Sequence, residues 1–557
     1  MPGMDTPDRP WTSAAAARKR LGRHYTPSRL ADFLAGEIVN ELPDRARLRI
    51  LDPACGDGEL LAALVLALSV RSPVPRMEVV GYDVDPTAVA AASARLADCG
   101  HPVTLHAGDF LAADPVTGAD KARFDAVITN PPYVRTQHLD TAPRRRLMRQ
   151  LGLSGRVDLT HLFVALTPRL LTPGGVLGLL CSNRFLSTTA GVNVRRVLRD
   201  DLRVCTVIDL GDTRPFDAAV LPAVVVARAP DEHDGDATPA RFVSAYRVDD
   251  TRVEAPAGEP DLLTALSGGD TLALADDGRR VRIRVGVLAP VTDDAPWRLD
   301  HPSTEVWLAA VRRGTWRTFG ELGRVRVGIK TTADRVFIAE EWASDGPDAA
   351  LLSPLITHRD LTAWSVMEPA TRVLYPYDRT ATRRTVVDLD RYPATRRYLE
   401  RHEQRLRSRT YVTAGGREWF EIWVPQRPHL WAAPKIVFPD ISDTPRFAWD
   451  RSGAVVNGDC YWISTADLDD DVALLMLAVA NSSVGLRFYD EVCGNRLYSG
   501  RRRWITQYVR LLPVPDPTTP RSRAVIRLAR MRCETGGGPG PDAELDAAVA
   551  AAFEVTA

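Results

Sequence analysis

Arg47-Leu-Arg-Ile-Leu-Asp-Pro-Ala-Cys-Gly-Asp-Gly58 decides the fold. It begins as a hydrophobic strand, Arg47 to Leu51, turns through glycines at 56 and 58, and enters an apolar helical run from Glu59 to Val70. Glycine lets the main chain approach a ligand closely, and the first amides of the following helix point at it. Downstream, Val79-Val-Gly-Tyr-Asp-Val84 reads as a second strand ending in an acid. Asp83 therefore stands where this type of sheet holds ribose hydroxyls. A third strand, Val103 to His106, leads into Gly108-Asp109-Phe110. The Asp109 carboxylate can accept from an adenine amino group while Phe110 covers the ring face. A strand-turn-helix of this kind is a nucleoside-cofactor loop.

The cofactor can be narrowed. A dinucleotide site requires G-x-G-x-x-G, whereas the shorter glycine pair preceded by Asp52 suits S-adenosylmethionine. Cys55, between them, reads as a small filler rather than a nucleophile.

A fourth strand-like run, Phe124 to Thr129, ends in Asn130-Pro131-Pro132-Tyr133. The Asn130 amide oxygen and the Pro131 carbonyl are two neutral acceptors able to hold an amino group, and Tyr133 offers a ring for stacking. The prolines fix φ, and Pro131 biases Asn130 toward an extended shape. Such a group is equipped to methylate a planar nitrogen. Taken alone, the four residues also read as a rigid turn.

Together these segments resemble the gamma-class adenine-N6 DNA methyltransferases of bacterial restriction-modification systems. The matching pieces are Gly22-Arg-His-Tyr-Thr-Pro27, the Asp52 to Gly58 loop, Asp83, Gly108 to Phe110, Asn130 to Tyr133 and Leu171-Thr-Pro-Gly-Gly-Val-Leu177. The resemblance implies S-adenosylmethionine held by Thr26, Asp52, Ala54, Gly56, Gly58, Asp83, Asp109 and Phe110. It implies catalysis by Asn130, Pro131, Pro132 and Tyr133 without a metal. Adenine must be flipped out of the duplex, with Tyr133 on one side of the base and Phe216, before the strand Ala223 to Ala227, on the other. Thr26 followed by Pro27 reads as a helix N-cap and first-turn proline. Asp158 and Arg184 fall in family-like stretches and receive no chemical role.

At 557 residues the chain has room for two or three domains. The expected fold is a class I S-adenosylmethionine-dependent methyltransferase, Rossmann-like with a mostly parallel sheet, plus a C-terminal mixed α+β target-recognition domain. The expected boundaries are a flexible tail over 1–15, the catalytic domain over 16–245, a β-rich connecting segment over 246–299, the recognition domain over 300–515 and a tail with a short helix over 516–557. Basic and acidic residues balance at 71 each, so a DNA surface must be local. Lys19, Lys121, Lys330 and Lys435 are the only lysines. Arginine suits bidentate phosphate and guanine contacts, although a GC-rich genome produces the same bias. Arg391 to Arg427 carries nine arginines against four glutamates. Seven cysteines without C-x-x-C spacing argue against zinc and disulfides, and with no signal peptide suggest the cytoplasm.

Double-stranded DNA is the expected partner, with a separately encoded cognate endonuclease beside it. The alternatives are a fused restriction-modification enzyme, a phage-defence component, or a methyltransferase acting on RNA or on protein glutamine.

Overall fold

The computed structural model describes residues 26–112, 123–132, 142–155, 157–214, 221–231, 238–252, 259–289, 296–493, 501–536 and 542–556. They fall into two units that divide between His301 and Pro302.

The first unit is built on one sheet. Its strands are β1 (Arg47–Asp52), β2 (Arg76–Asp83), β3 (Val103–Ala107), β4 (Phe124–Thr129), β5 (Leu171–Ser182), β6 (Arg203–Asp209), β7 (Pro222–Arg228), β8 (Arg241–Arg252), β9 (Thr271–Leu274), β10 (Arg279–Leu288) and β11 (Leu299–Asp300). The order is β11-β10-β8-β6-β7-β5-β4-β1-β2-β3, with β9 added on β10. From β3 to β5 every pairing is parallel, and β7 runs antiparallel between β5 and β6. This is the open, mostly parallel sheet that the alternating strand and helix patterns predict.

Central strands read as apolar runs because both of their faces are covered. All six residues of β4 are buried. Ile50, Ala126 and Ile128 face one core with Leu34 and Ile38 of the helix Ser28–Glu41, while Leu51 and Val127 face the other with Leu162 and Leu166 of the helix Leu159–Leu170. Burying each such Leu or Ile contributes roughly 1.5–3 kcal/mol. Gly178 in β5 permits the close seat of the first helix, since a Cβ there would overlap the Ile38 side chain.

Two tracts differ from the sequence expectation. Residues 246–299 do not merely connect domains: β10 pairs with β8, which itself pairs with β6 through Arg241 to Ser244, and β9 pairs with β10, so this tract widens the sheet. Its alternating pattern seeks a hydrogen-bonded edge, and β8 supplies one. The C-terminal tail is likewise more than a short helix. Helices Pro520–Thr535 and Ala543–Phe553 place Val525, Ile526, Ala529, Leu545, Val549 and Phe553 in the second unit's core. An arginine-rich outer face had masked the narrow apolar stripe of the first of them.

The second unit is a mixture of small sheets and helices, with one four-stranded sheet ordered Arg326–Val327, Cys460–Ser464, Lys435–Pro439, Ala448–Asp450. Among the described residues no single helix is long and apolar enough to cross a membrane. The apolar helices Asp470–Asn481 and Ser483–Cys493, bent by 68° to each other, contribute to the second unit's core.

Candidate active site

Ligands of open α/β sheets bind beyond the carboxyl ends of the parallel strands. Asp52 ends β1, Asp83 ends β2, Asp109 and Phe110 follow β3, and Asn130 follows β4. Parallel registers set them side by side, with Asp52 opposite Gly81 and Leu51 opposite Val127.

The loop after β1 is held by its neighbours. The Cys55 amide donates to the Tyr82 carbonyl at 2.7 Å, and the Gly56 amide donates to Asp83 Oδ2 at 3.0 Å. Asp83 Oδ1 accepts from the Asp85 amide at 2.8 Å. Each Asp83 oxygen thus has one amide donor, and a carboxylate oxygen can accept a second. Gly58 starts the helix Glu59–Ser69 at φ 82°, and a Cβ on it would lie 2.9 Å from that of Ala92. Only glycine meets both demands. Ala54 is half-buried, and its amide donates to Asp52 Oδ1 at 2.9 Å.

Asp52 is fully buried. Burial pushes its carboxyl up to about 7, against the pull of the Ala54 amide, and Asp83 adds to the rise. Its Oδ2 and the Thr129 hydroxyl have no hydrogen-bond partner among the described residues. A buried carboxylate oxygen without a donor is costly and fits a cationic, hydrogen-bonding ligand group such as the amine of a methionine moiety. The Cys55 thiol is held protonated by burial and by the carboxylates of Asp52 and Asp83, which agrees with a filler role.

Thr26 departs from expectation. Pro27, not Thr26, occupies the cap position of the first helix, and no side chain caps it. The buried Thr26 hydroxyl instead accepts from Asn130 Nδ2 at 3.2 Å. That bond turns the Oδ1 edge of the amide away from Thr26. Pro131 is buried and Pro132 half-buried behind it, while Tyr133 and Phe216 lie outside the described residues.

Phe110 is only 3 % exposed, edge-on to Tyr82 at 5.1 Å and stacked on Phe163 at 6.2 Å. It belongs chiefly to the core. Half-buried Tyr82 stacks on His106 at 4.4 Å, a pair that sequence reading passed over. Asp158 caps the helix Leu159–Leu170 through the His161 amide, and Arg184 begins a short helix.

Sequence reading also missed a buried polar cluster ahead of residue 216. Asp209, at the end of β6, accepts from Asn183 Nδ2 at 2.9 Å, the Tyr246 hydroxyl at 2.5 Å and the Gly211 amide at 3.0 Å. Burial raises its carboxyl pKa, and these donors oppose the rise. The available signal was an acid closing an otherwise apolar strand.

Comparison with known proteins places this architecture. Residues 101–216 match the Eco57I restriction-modification methylase family and 20–156 the RMKL-like methyltransferase domain. The type II methyltransferase M.BanIII of Aneurinibacillus aneurinilyticus is 32% identical over 538 residues, 92% of this chain and 93% of that protein. M.PaeR7I of Pseudomonas aeruginosa, also a type II methyltransferase, is 27% identical, covering 89% and 86%. The type IIL restriction-modification enzyme MmeI, solved in complex with DNA, superposes with a TM-score of 0.59 at 12% identity, covering 98% of this chain and 74% of that one, a likeness of fold. Fold and relatives alike make S-adenosylmethionine the cofactor. The chain belongs to the type II methyltransferases of restriction-modification systems.

Proposed function

We propose that this chain methylates the N6 amino group of one adenine within a specific duplex DNA sequence, as the modification enzyme of a restriction-modification system. The observation that carries the reading is Asn130, fixed by Thr26 at the end of a wholly buried strand whose neighbour ends in Asp52. S-adenosylmethionine supplies the methyl group, already activated on a sulfonium.

This chain's residues do the rest. Asp83 and the Gly56 loop offer acceptors and close backbone approach for the ribose. Asp109 stands ready for the adenine end, and Asp52 with Ala54 for the methionine end. The Asn130 amide oxygen and the Pro131 carbonyl accept hydrogen bonds from the two N6 hydrogens of the target, which keeps electron density on that nitrogen as it attacks the methyl carbon; the carbon–sulfur bond breaks, the sulfonium leaves as a neutral thioether, and the surplus N6 proton passes to solvent. Neutral acceptors suit this step, because they pull on the protons without adding charge to a buried pocket. Tyr133 and Phe216 clamp the flipped base.

Duplex DNA as substrate is supported by the type II relatives and by the fold shared with MmeI, itself solved with DNA. A separately encoded endonuclease is the partner such an enzyme protects against. The seven cysteines of this chain form no disulfide, which suits the reducing cytoplasm.

The test is nucleoside mass spectrometry with methylation-sensitive long-read sequencing of DNA from cells expressing the chain. N6-methyladenine at one recurring sequence is the expected result. N4-methylcytosine would overturn the adenine assignment, and unmodified DNA the reading as a whole.

A further inference from the structure

The second unit holds a basic cleft of about 510 Å³ lined by Arg324, Val325, Arg326, Val327, Gln426, Arg427, Tyr461 and Thr506. Strand pairing builds it. Arg326 and Val327 pair antiparallel with Trp462 and Tyr461, and a backbone bridge from Lys330 to Val424 brings in Gln426 and Arg427.

Most arginines of the arginine-rich tract are already engaged within the unit. Arg396 faces Asp390 and Glu400, Arg401 pairs with Asp345 at 2.6 Å, and Arg407 with Glu403 at 2.7 Å. Arg409 donates to the carbonyls of Thr331 and Trp419. In the cleft three arginines stand together, and among the described residues Arg324, Arg326 and Arg427 have no carboxylate within ion-pair distance. Asp440, the acid acting on Tyr461, is bound by Arg503 through both oxygens, at 3.1 and 2.9 Å.

Arg326 is also held in place. Its guanidinium lies 5.2 Å from the centre of the buried Trp462 ring, and Nη1 donates to the Arg324 carbonyl at 3.1 Å. Partial burial, then the charges of Arg324 and Arg427, make its protonated form harder to keep. Gln426 adopts φ 63°, a left-handed conformation that costs a non-glycine residue and is found at functional sites more often than elsewhere. Three like charges converge with an amide and two hydroxyl-bearing residues, and among the described residues no acid pairs with them.

We propose that this cleft is an anion site for a backbone phosphodiester of the DNA duplex, with Arg324, Arg326 and Arg427 neutralising the phosphate. The assignment rests on the chain acting on DNA. A phosphate explains the unbalanced charge, because each arginine that neutralises one releases a condensed counterion. It also explains the donor set, since guanidinium, amide and hydroxyl groups all donate to phosphate oxygens.

The test is affinity of the full chain for two duplexes, one carrying the sequence found methylated and one scrambled, over a series of salt concentrations. Arg326→Ala and the exposed Arg427→Gln should each weaken both duplexes by roughly tenfold and flatten the slope of log affinity against log salt by about one. Arg326→Lys should keep the slope. Cofactor affinity and the unfolding transition, measured on the same samples, verify that each variant is folded. Unchanged affinity and slope in Arg427→Gln would overturn the site. A loss confined to the methylated sequence, with the slope retained, would overturn the phosphate in favour of a base contact. If the wild-type chain neither binds nor methylates duplex DNA, the functional reading fails first, and this site with it.

Discussion

Thr26 and Asn130 are joined by a hydrogen bond of 3.2 Å, although 104 residues separate them in the chain. The bond selects one of two faces for an amide whose ends differ chemically but hardly in shape. An Asn flipped by half a turn would offer donors where the target nitrogen needs acceptors.

Thr26→Val keeps the volume and removes the acceptor. Leaving the Asn130 amide without it should cost about 1–3 kcal/mol in positioning, or roughly 5- to 150-fold in turnover. Thr26→Ser should restore most of the rate. Asn130→Ala should lower turnover by at least about 100-fold while cofactor affinity stays near wild type. Single-turnover kinetics beside calorimetric titration of the cofactor reads both, and wild-type turnover in Thr26→Val would dissociate the hydroxyl from catalysis.

Asp52 makes the cofactor-free protein less stable as pH rises. Below its ordinary value near 4 the carboxyl is protonated in both folded and unfolded chains. Between that value and about 7 the unfolded chain releases the proton while the fold retains it, so stability falls across this window and is level above it. The loss is at most about 4 kcal/mol. Asp52→Asn should therefore melt higher than wild type at pH 8, match it at pH 4, and bind S-adenosylmethionine at least tenfold more weakly by the loss of a charged hydrogen bond. Equal melting shifts at both pH values would show that the carboxylate is not strained by burial.

Gly58→Ala tests the loop. A methyl group 2.9 Å from the Ala92 Cβ at φ 82° combines a clash with an unfavourable backbone, and a cost of about 1–3 kcal/mol follows. Thermal unfolding should record it, with weaker cofactor binding. A neutral substitution would mean that the helices Glu59–Ser69 and Pro86–Leu96 separate easily.

Asp209→Ala would remove the buried acceptor shared by the Asn183 amide, the Tyr246 hydroxyl and the Gly211 amide. A destabilisation of about 1–3 kcal/mol or more is expected from the lost buried hydrogen bonds. Asp209→Asn should cost less, because it keeps an acceptor. Denaturant unfolding of the pair of variants separates the two cases, and a silent Asp209→Ala would remove the cluster from the framework.

The strands, the glycine turn after the first of them and the order of motifs were legible because each rests on local chemistry. Apolar runs end in an acid or an asparagine, and glycines stand where the main chain must turn. Thr26 was placed correctly near the first helix but given the wrong bond, since a threonine before a proline satisfies the capping pattern whether or not it caps. The Asn130 contact that displaced it is long-range, and no spacing rule reaches 104 positions. Phe110 was read as a cover for a ring, and its burial against Tyr82 and Phe163 adds a packing role that no local pattern announces. The helix Pro520–Thr535 escaped because five arginines, at 521, 523, 527, 530 and 532, outweigh its apolar stripe by composition. The arginine tract advertised a charged surface, yet much of that charge is spent on neighbouring carboxylates and carbonyls.

Gly178 and Ile38 share one volume: where the strand gives up a side chain, the first helix fills the gap. Homologues that acquire alanine at the strand position should carry a shorter residue at the helix position, and the exchange should be found as a pair rather than singly. A selection for activity from a library randomised at both sites would recover such complementary sizes and discard the bulky combinations.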